Sequence, residues 1–297
     1  MGALAALGAA MTWAVASMLF ERHGREVGGL ALNLIKCVLA AGLMLPTLML
    51  LEGRAWPTSM SAQTLGWLGL SGLVGLSVGD TFWFGCLLRL GARRALLLFT
   101  LAPPLTAILA RILLDEPFTG MMIVGMCTTL AGVGWVIQEQ TVGPAGELAP
   151  RIDRVGVAFG CVAALCQAIG AVLTKYAGTD ESALSVSLVR LVAGSVGLII
   201  VVAASGRLKR AVLPFREKRT AIGLIAATFL GTYLGIWLMN AGFLNTYVGV
   251  ASTLNATSPI FALPLAFLVG EKLTRRSVVG AFIAVAGVSL LFFSSGA

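Results

Sequence analysis

Residues 101–133, LAPPLTAILARILLDEPFTGMMIVGMCTTLAGV, and residues 256–288, ATSPIFALPLAFLVGEKLTRRSVVGAFIAVAGV, carry one pattern twice. Each is an apolar run, an acidic turn and a second apolar run. Aligned without gaps, they share Pro104/Pro259, Ala107/Ala262, Leu113/Leu268, Glu116/Glu271, Thr119/Thr274, Gly125/Gly280, Gly132/Gly287 and Val133/Val288. A repeat of this length marks a duplicated unit. If the unit crosses a bilayer an odd number of times, its second copy is inverted.

Composition supplies the bilayer. The 297 residues are 58% hydrophobic and 11% charged, with a mean hydropathy of +0.94. A soluble domain carries roughly 25% charged residues, so lipid must be the solvent for much of this chain. The apolar runs are long and do not alternate, which predicts helices rather than barrel strands. Runs near 20 residues cross the hydrocarbon core. Ten are placed, at about 3–20, 28–51, 63–88, 93–114, 119–138, 154–175, 183–204, 220–244, 248–269 and 274–294. The stretch QEQTVGPAGELAPRID, rich in Pro, Gly and charge, separates the halves. This predicts one repeat over 1–138, a linker over 139–153 and a second repeat over 154–297.

The first run carries Ala14-Val15-Ala16 in the manner of a leader's cleavage site, but no positive region precedes it. It also matches span six at Gly2/Gly156, Ala9/Ala163, Ala14/Ala168 and Leu19/Leu173. Spans two and seven share Leu30/Leu184, Leu34/Leu188 and Val38/Val192 and place a cation at Lys36/Arg190. Spans three and eight share the G-x-x-x-G pairs Gly75/Gly231 and Gly79/Gly235. The whole five-span unit is therefore duplicated. Five is odd, so the halves are antiparallel. The expected fold class is an all-α integral membrane bundle of ten transmembrane helices in two inverted five-helix repeats.

This pattern resembles the drug/metabolite transporter superfamily, specifically its EamA-type members. The residues that carry the resemblance are Trp13, the cations Lys36 and Arg190, Pro104 and Pro259, the Glu-x-x-Thr turns at 116–119 and 271–274, and the Ala-Gly-Val endings of spans five and ten. The resemblance implies movement of a small solute by alternating access, commonly export of amino acids or other metabolites. It does not fix the substrate.

The residues that could carry chemistry lie inside the spans. An ionisable group within a membrane marks a pathway by default, and Asp80 lies near the middle of span three. It reads either as a substrate-amine or proton site, or as a fixed ion pair with Lys36 or Arg190. Its repeat partner is apolar Ile236, so any role is asymmetric. Lys36 and Arg190 could hold an anionic group such as a carboxylate, or snorkel to the interface. Trp13, Trp83, Gln167, Tyr233, Trp237, Asn240 and Asn255 could line a central cavity. Trp13 and Gln167 occupy matching places, where a shared midplane site would form. Trp and Tyr also anchor helices at interfaces, and Asn also bonds between helices. Pro103, Pro104 and Pro259 are read as kinks in spans four and nine, serving as a gate or as a static bend. Arg111 reads as a snorkelling residue beside Asp115. Glu116 and Glu271 read as helix-end acids accompanying the N-caps Thr119 and Thr274.

Enzyme signals are poor. His23 is the one histidine, no clustered acids accompany it, and no metal or nucleophile motif is present. The cysteines Cys37, Cys86, Cys127, Cys161 and Cys166 all lie in apolar runs and read as small packing residues. No cofactor is expected. The net charge of +8 reports membrane orientation rather than nucleic-acid binding. The function expected is secondary transport of a small polar or amphipathic metabolite. A lipid-handling or receptor-like membrane protein without solute turnover is the alternative. The partners expected are a small-molecule substrate, with proton coupling left open, and membrane lipids. Monomer and homodimer both stand, and the location expected is a bacterial inner membrane.

Orientation carries a conflict. Sixteen of the 21 Lys and Arg residues fall in loops after odd-numbered spans or at their edges, against Arg54 and Lys175 on the opposite side. The positive-inside rule then puts both termini outside, whereas the family resemblance implies termini inside. The bias is large and sits in short loops, so we follow the charges. A C-terminal reporter active only in the cytoplasm is expected to stay silent; an active reporter would reverse the assignment.

Overall fold

The structure, a computed structural model, describes residues 1–24, 27–90, 95, 98–139, 153–178, 180–206, 217–258, 260–261 and 275–294. Its described residues form ten helices and no strand: α1 (Gly2–Gly24), α2 (Gly29–Glu52), α3 (Ala62–Leu90), α4 (Ala102–Leu113), α5 (Gly120–Glu139), α6 (Arg154–Tyr176), α7 (Ala183–Ala204), α8 (Lys218–Asn245), α9 (Val248–Asn255) and α10 (Arg275–Ser294). Six of them, α1–α3 and α6–α8, are long and apolar enough to cross a membrane. Large side chains such as Leu50, Ile112, Phe282 and Phe293 are exposed on the outer surface, as lipid contact requires. Cys37 and Cys86 are buried, whereas Cys127 and Cys161 face outward rather than packing inside.

The packing scheme has two-fold character. Helix α1 packs on α8 and α9, and α6 packs on α3 and α4; α2 meets α7, α4 meets α9, and α5 meets α10. Exchanging each helix for the one five places later returns the same set of pairs. Two inverted five-helix repeats therefore interlock, each inserting its first helix among the helices of the other.

Shared small residues fix the closest approaches. A methyl on Gly132 would stand 2.4 Å from the Ala284 nitrogen, and one on Gly287 2.4 Å from the Thr129 nitrogen. These matched glycines of the duplicated stretch are where α5 and α10 touch backbone to backbone. Small residues at helix crossings are how helices associate where lipid removes the hydrophobic drive. Gly72 likewise brings α3 onto α7, its missing methyl only 2.2 Å from the Arg190 carbonyl oxygen.

Helix ends are capped by side chains, at Thr119 as the sequence predicts and at Ser61, Ser182 and Asp153 besides. Thr119 Oγ1 accepts from the Met122 N–H at 3.2 Å, Ser61 from Thr64 at 3.1 Å and Ser182 from Ser185 at 3.1 Å. Asp153 accepts from both Val155 and Gly156 at the start of α6. Glu116 differs from its reading in one respect. It caps the start of α9, in the other repeat, accepting from the Val248 N–H at 2.9 Å. Glu271 and Thr274 lie outside the described residues.

Two irregularities recur in both repeats. Helix α3 widens to π geometry over Gly72–Gly79, and α8 does so over Thr228–Leu234. The register is the one that matches Gly75 to Gly231. Single π segments of this kind mark functional regions of helices. Spans four and nine are interrupted at matching places, by turns at Thr100–Leu101 and Ala256–Thr257. Pro103 and Pro104 occupy the first turn of α4. There a missing N–H has no helical partner to lose, so the prolines start a helix rather than bend a continuous one. Pro259 lies outside the described residues.

Gly72→Ala is expected to lower stability by about 1–3 kcal/mol, because backbone must move to admit the methyl. Gly66→Ala on the same helix meets nothing within 4 Å and is expected to be neutral or mildly stabilising. Thermal unfolding of both variants in detergent checks the pair.

Candidate functional site

The inverted repeats meet around a central cavity of about 50 Å³. Trp13 of α1, Lys36 of α2, Asp80 and Trp83 of α3, Gln167 of α6 and Asn255 of α9 line it. Apolar walls come from Phe99 and, on α8, Ile236 and Met239. Six residues expected to form the pathway thus converge on one space. Trp237, Arg190 and Asn240 do not line it. Trp237 stands on α8 with its ring centroid 6.0 Å from that of Tyr233. Arg190 and Asn240 form a pair just behind the wall.

The centre is a buried ion pair. Lys36 Nζ bonds to Asp80 Oδ2, with Lys36 1% and Asp80 8% exposed. Lys36 Nζ also lies 5.5 Å from the centroid of the Phe84 ring. The π segment of α3 ends on Asp80, and its wider turn offers carbonyls to α2. Asn33 Nδ2 donates to the oxygens of Leu76 (2.8 Å) and Ser77 (3.2 Å) and to Thr81 Oγ1 (3.0 Å). One turn of α2 therefore binds α3 through Asn33 and the adjacent turn through Lys36.

The second repeat repeats the plan with different chemistry. Arg190 sits seven residues inside α7, as Lys36 does inside α2, which puts each about 10 Å from its own end of the bundle. Arg190 Nη1 donates to Asn240 Oδ1, and Asn240 Nδ2 donates to Ser187 Oγ at 2.7 Å. In repeat register Asn240 matches Phe84, Ile236 matches Asp80 and Ser187 matches Asn33. The first copy gives its cation an acid and a ring, and the second gives its cation an amide.

Polar contacts bridge the repeats where α2 ends and α7 begins. Arg54 binds Glu52 of its own repeat and Glu181 of the other. Ser59 donates to Glu181, and Ser182 to Glu52. The Arg54 guanidinium holds the Glu181 carboxyl below its ordinary range, against a small effect of burial. Nearby, Lys175 Nζ donates to the Leu244 oxygen at 2.9 Å and faces Glu116. Burial pushes the Glu116 carboxyl up, opposed by the Val248 N–H and the Lys175 charge. At the opposite end Arg89 pairs with Asp153 at 2.9 Å, both partly exposed. Arg111 pairs with Asp115 at 3.0 Å on the exposed surface, away from the cavity.

Sequence reasoning missed Asn33, Ser187, Phe84, Phe99 and Met239. The polar pair carried a usable signal. Asn33 and Ser187 are repeat mates three residues before Lys36 and Arg190, so both copies place a polar residue one turn before the cation. The three apolar residues carried none, since they are indistinguishable from packing residues. No group of three or more His, Cys, Asp or Glu that could hold a metal occurs among the described residues.

The sequence profile described as the EamA-like transporter family matches residues 1–138 and again residues 154–293. A curated relative, the uncharacterized transporter YyaM of Bacillus subtilis (strain 168), is 26% identical over 254 residues, covering 84% of this chain and 80% of its own. An uncharacterized transporter of Clostridium kluyveri is 24% identical over 242 residues, covering 80% and 74%. A solved crystal structure superposes with a TM-score of 0.79 at 15% identity, covering 99% of this chain and 97% of that one. That likeness shows the fold alone.

The ion pair invites a double-mutant cycle. Asp80→Leu and Lys36→Met each strand a buried charge and are each expected to destabilise by about 3–5 kcal/mol. Lys36→Met with Asp80→Leu removes both charges and is expected to recover most of that loss. Thermal unfolding of the single and double variants in detergent checks the coupling. Additive losses would mean that the two side chains do not depend on each other.

Proposed function

The chain belongs to the EamA-like transporter family, and from that premise we propose that it moves a small polar or amphipathic metabolite, an amino acid or a close chemical relative, by alternating access through the Lys36–Asp80 cavity. It is a multi-pass integral membrane transporter and not an enzyme. The observation that carries the finer reading is the placement of one buried ion pair, two tryptophans and two amides around a cavity shared by inverted repeats. Sites of this kind form where discontinuous helices meet near the midplane, and α4 and α9 are interrupted there.

The cavity volume supports a cycle of opening and closing. A water occupies roughly 10–15 Å³ on this measure, so 50 Å³ holds only a few waters. A metabolite enters only after the repeats separate. Residues 1–138 and 154–297 are the units that move, joined by the linker 139–153. For the cavity to open toward the end where α1 starts, Arg54 must release Glu181 and Glu116 must release the α9 terminus. By the charge bias that end faces outward in a bacterial inner membrane, and the direction is export. Asp80 carries any coupling to protons, because its repeat mate Ile236 cannot ionise. A homodimer is compatible with the scheme, but each chain holds a complete cavity.

The test is flux from proteoliposomes loaded with amino acids, nucleosides and sugars. Net efflux of at least one solute is expected. Asp80→Asn is expected to slow it at least tenfold or to abolish its pH dependence. A variant with unchanged rate and pH profile would remove Asp80 from the mechanism.

A further inference from the structure

The buried charges of the core do not cancel. Among the described residues, Lys36, Asp80 and Arg190 are the buried ionisable side chains with formal charge at neutral pH. Two are cations and one is an acid. Arginine does not give up its proton in proteins, so the described side chains of the interior carry one surplus positive charge. Asp80 is committed to Lys36. It interacts with Arg190 only through space. Arg190 is 4% exposed, its Nε has no hydrogen-bond partner, and its Nη1 meets only the neutral Asn240. Taking an ion out of water costs several kcal/mol unless an opposite charge or a full set of hydrogen bonds compensates it.

The duplicated architecture shows which group is missing. In the first repeat the acid facing the cation is Asp80. The matching residue in the second repeat is Ile236, which lines the cavity. The Arg190 guanidinium stands beside that cavity. A methyl on Gly75 would be 3.4 Å from its Nη2 and 3.7 Å from Oε1 of Gln167, a wall residue. Glycine at this position leaves the guanidinium room to turn toward the cavity.

We propose that Arg190, held by Asn240 and flanked by Gln167, is the anion subsite of the transporter, and that the transported solute brings a carboxylate to it. The solute's carboxylate supplies the counter-charge that Asp80 supplies to Lys36 in the other repeat. Guanidinium suits this role, because its fork binds carboxylate through two parallel N–H···O bonds. Trp13, Trp83 and Phe99 border the same cavity and favour a solute with an apolar or aromatic body. The substrate class is therefore a singly charged carboxylate, or a zwitterion whose carboxylate faces Arg190. This assignment rests on the transport reading above and narrows it.

Three probes of one shape and different charge test it: phenylacetate, phenylacetamide and phenethylammonium. Each is added to the full-length protein in detergent, and thermal unfolding is followed. Phenylacetate is expected to raise the midpoint in a saturable way, and the other two are not. Arg190→Gln is expected to weaken the phenylacetate response at least tenfold, as loss of charge-assisted hydrogen bonds implies. Arg190→Lys is expected to retain part of it. Ile236→Asp is expected to abolish it by giving Arg190 an internal acid. If Arg190→Gln does not fold, the Arg190→Lys and Ile236→Asp variants decide. No response to phenylacetate, an equal response to the amide or the amine, or a response unchanged in every Arg190 and Ile236 variant would overturn the subsite. Liposome flux separates the two levels. Efflux of neutral or cationic solutes without phenylacetate binding leaves transport standing and removes the anion subsite. No efflux of any solute removes the transport reading itself.

Discussion

Charge buried where lipid is the solvent is the constraint on which this bundle turns. Lys36 and Asp80 tolerate the interior because each neutralises the other, and because neighbouring groups hold both in place. Asn33 ties the adjacent turn of α2 to the carbonyls released by the π segment of α3. Phe84 offers its ring face to the ammonium. Position 84 therefore serves the cation without competing for the acid. A π segment ending at Asp80 does two things at once. It presents acceptors to α2, and it ends at the carboxylate that pairs with Lys36. The cost of the irregular backbone is offset locally, as irregular backbone within a membrane requires.

The second constraint is close approach. Matched glycines, not bulky apolar residues, decide how the repeats meet. Gly132 and Gly287 leave no space for a methyl between α5 and α10, and Gly72 leaves none between α3 and α7. The last contact bears directly on the site. It presses the backbone of Arg190 against α3, which fixes the arginine's depth and keeps its side chain from reaching the surface. Snorkelling was the bland reading of both cations. Their exposures of 1% and 4% exclude it, and for Arg190 the glycine contact gives a reason.

Much of the fold was legible because duplication doubles every weak signal. One buried cation in an apolar run is ambiguous. Lys36 and Arg190 at the same repeat position stand out as a pair, although snorkelling stayed open for both, and Trp13 with Gln167 gained weight in the same way. What stayed hidden was long-range or backbone-level. Glu116 was read correctly as a helix-end acid, but its helix begins 132 residues later, in the other repeat. Local spacing cannot show that partner. The prolines of span four were read as a bend in a continuous helix. Sequence does not reveal that the helix stops at the preceding turn, so the same residues became an N-terminus. The π segments had only the G-x-x-x-G pairs as a trace. Phe99 and Met239 had no trace at all, since cavity walls and packing use the same residue types.

Symmetry explains the scaffold, and departures from symmetry locate the chemistry. The repeats agree at the glycines, at the breaks in spans four and nine, at the π segments and at the buried cations. They disagree at three adjoining positions on α3 and α8: Asp80 against Ile236, Phe84 against Asn240, and Trp83 against Met239. Under the alternating access proposed above, the halves exchange conformations, which demands similar packing in both. It does not demand similar groups facing the cavity. Residues that face the cavity are released from that demand. The acid on one side and the isoleucine on the other give the cavity a polarity that the backbone lacks.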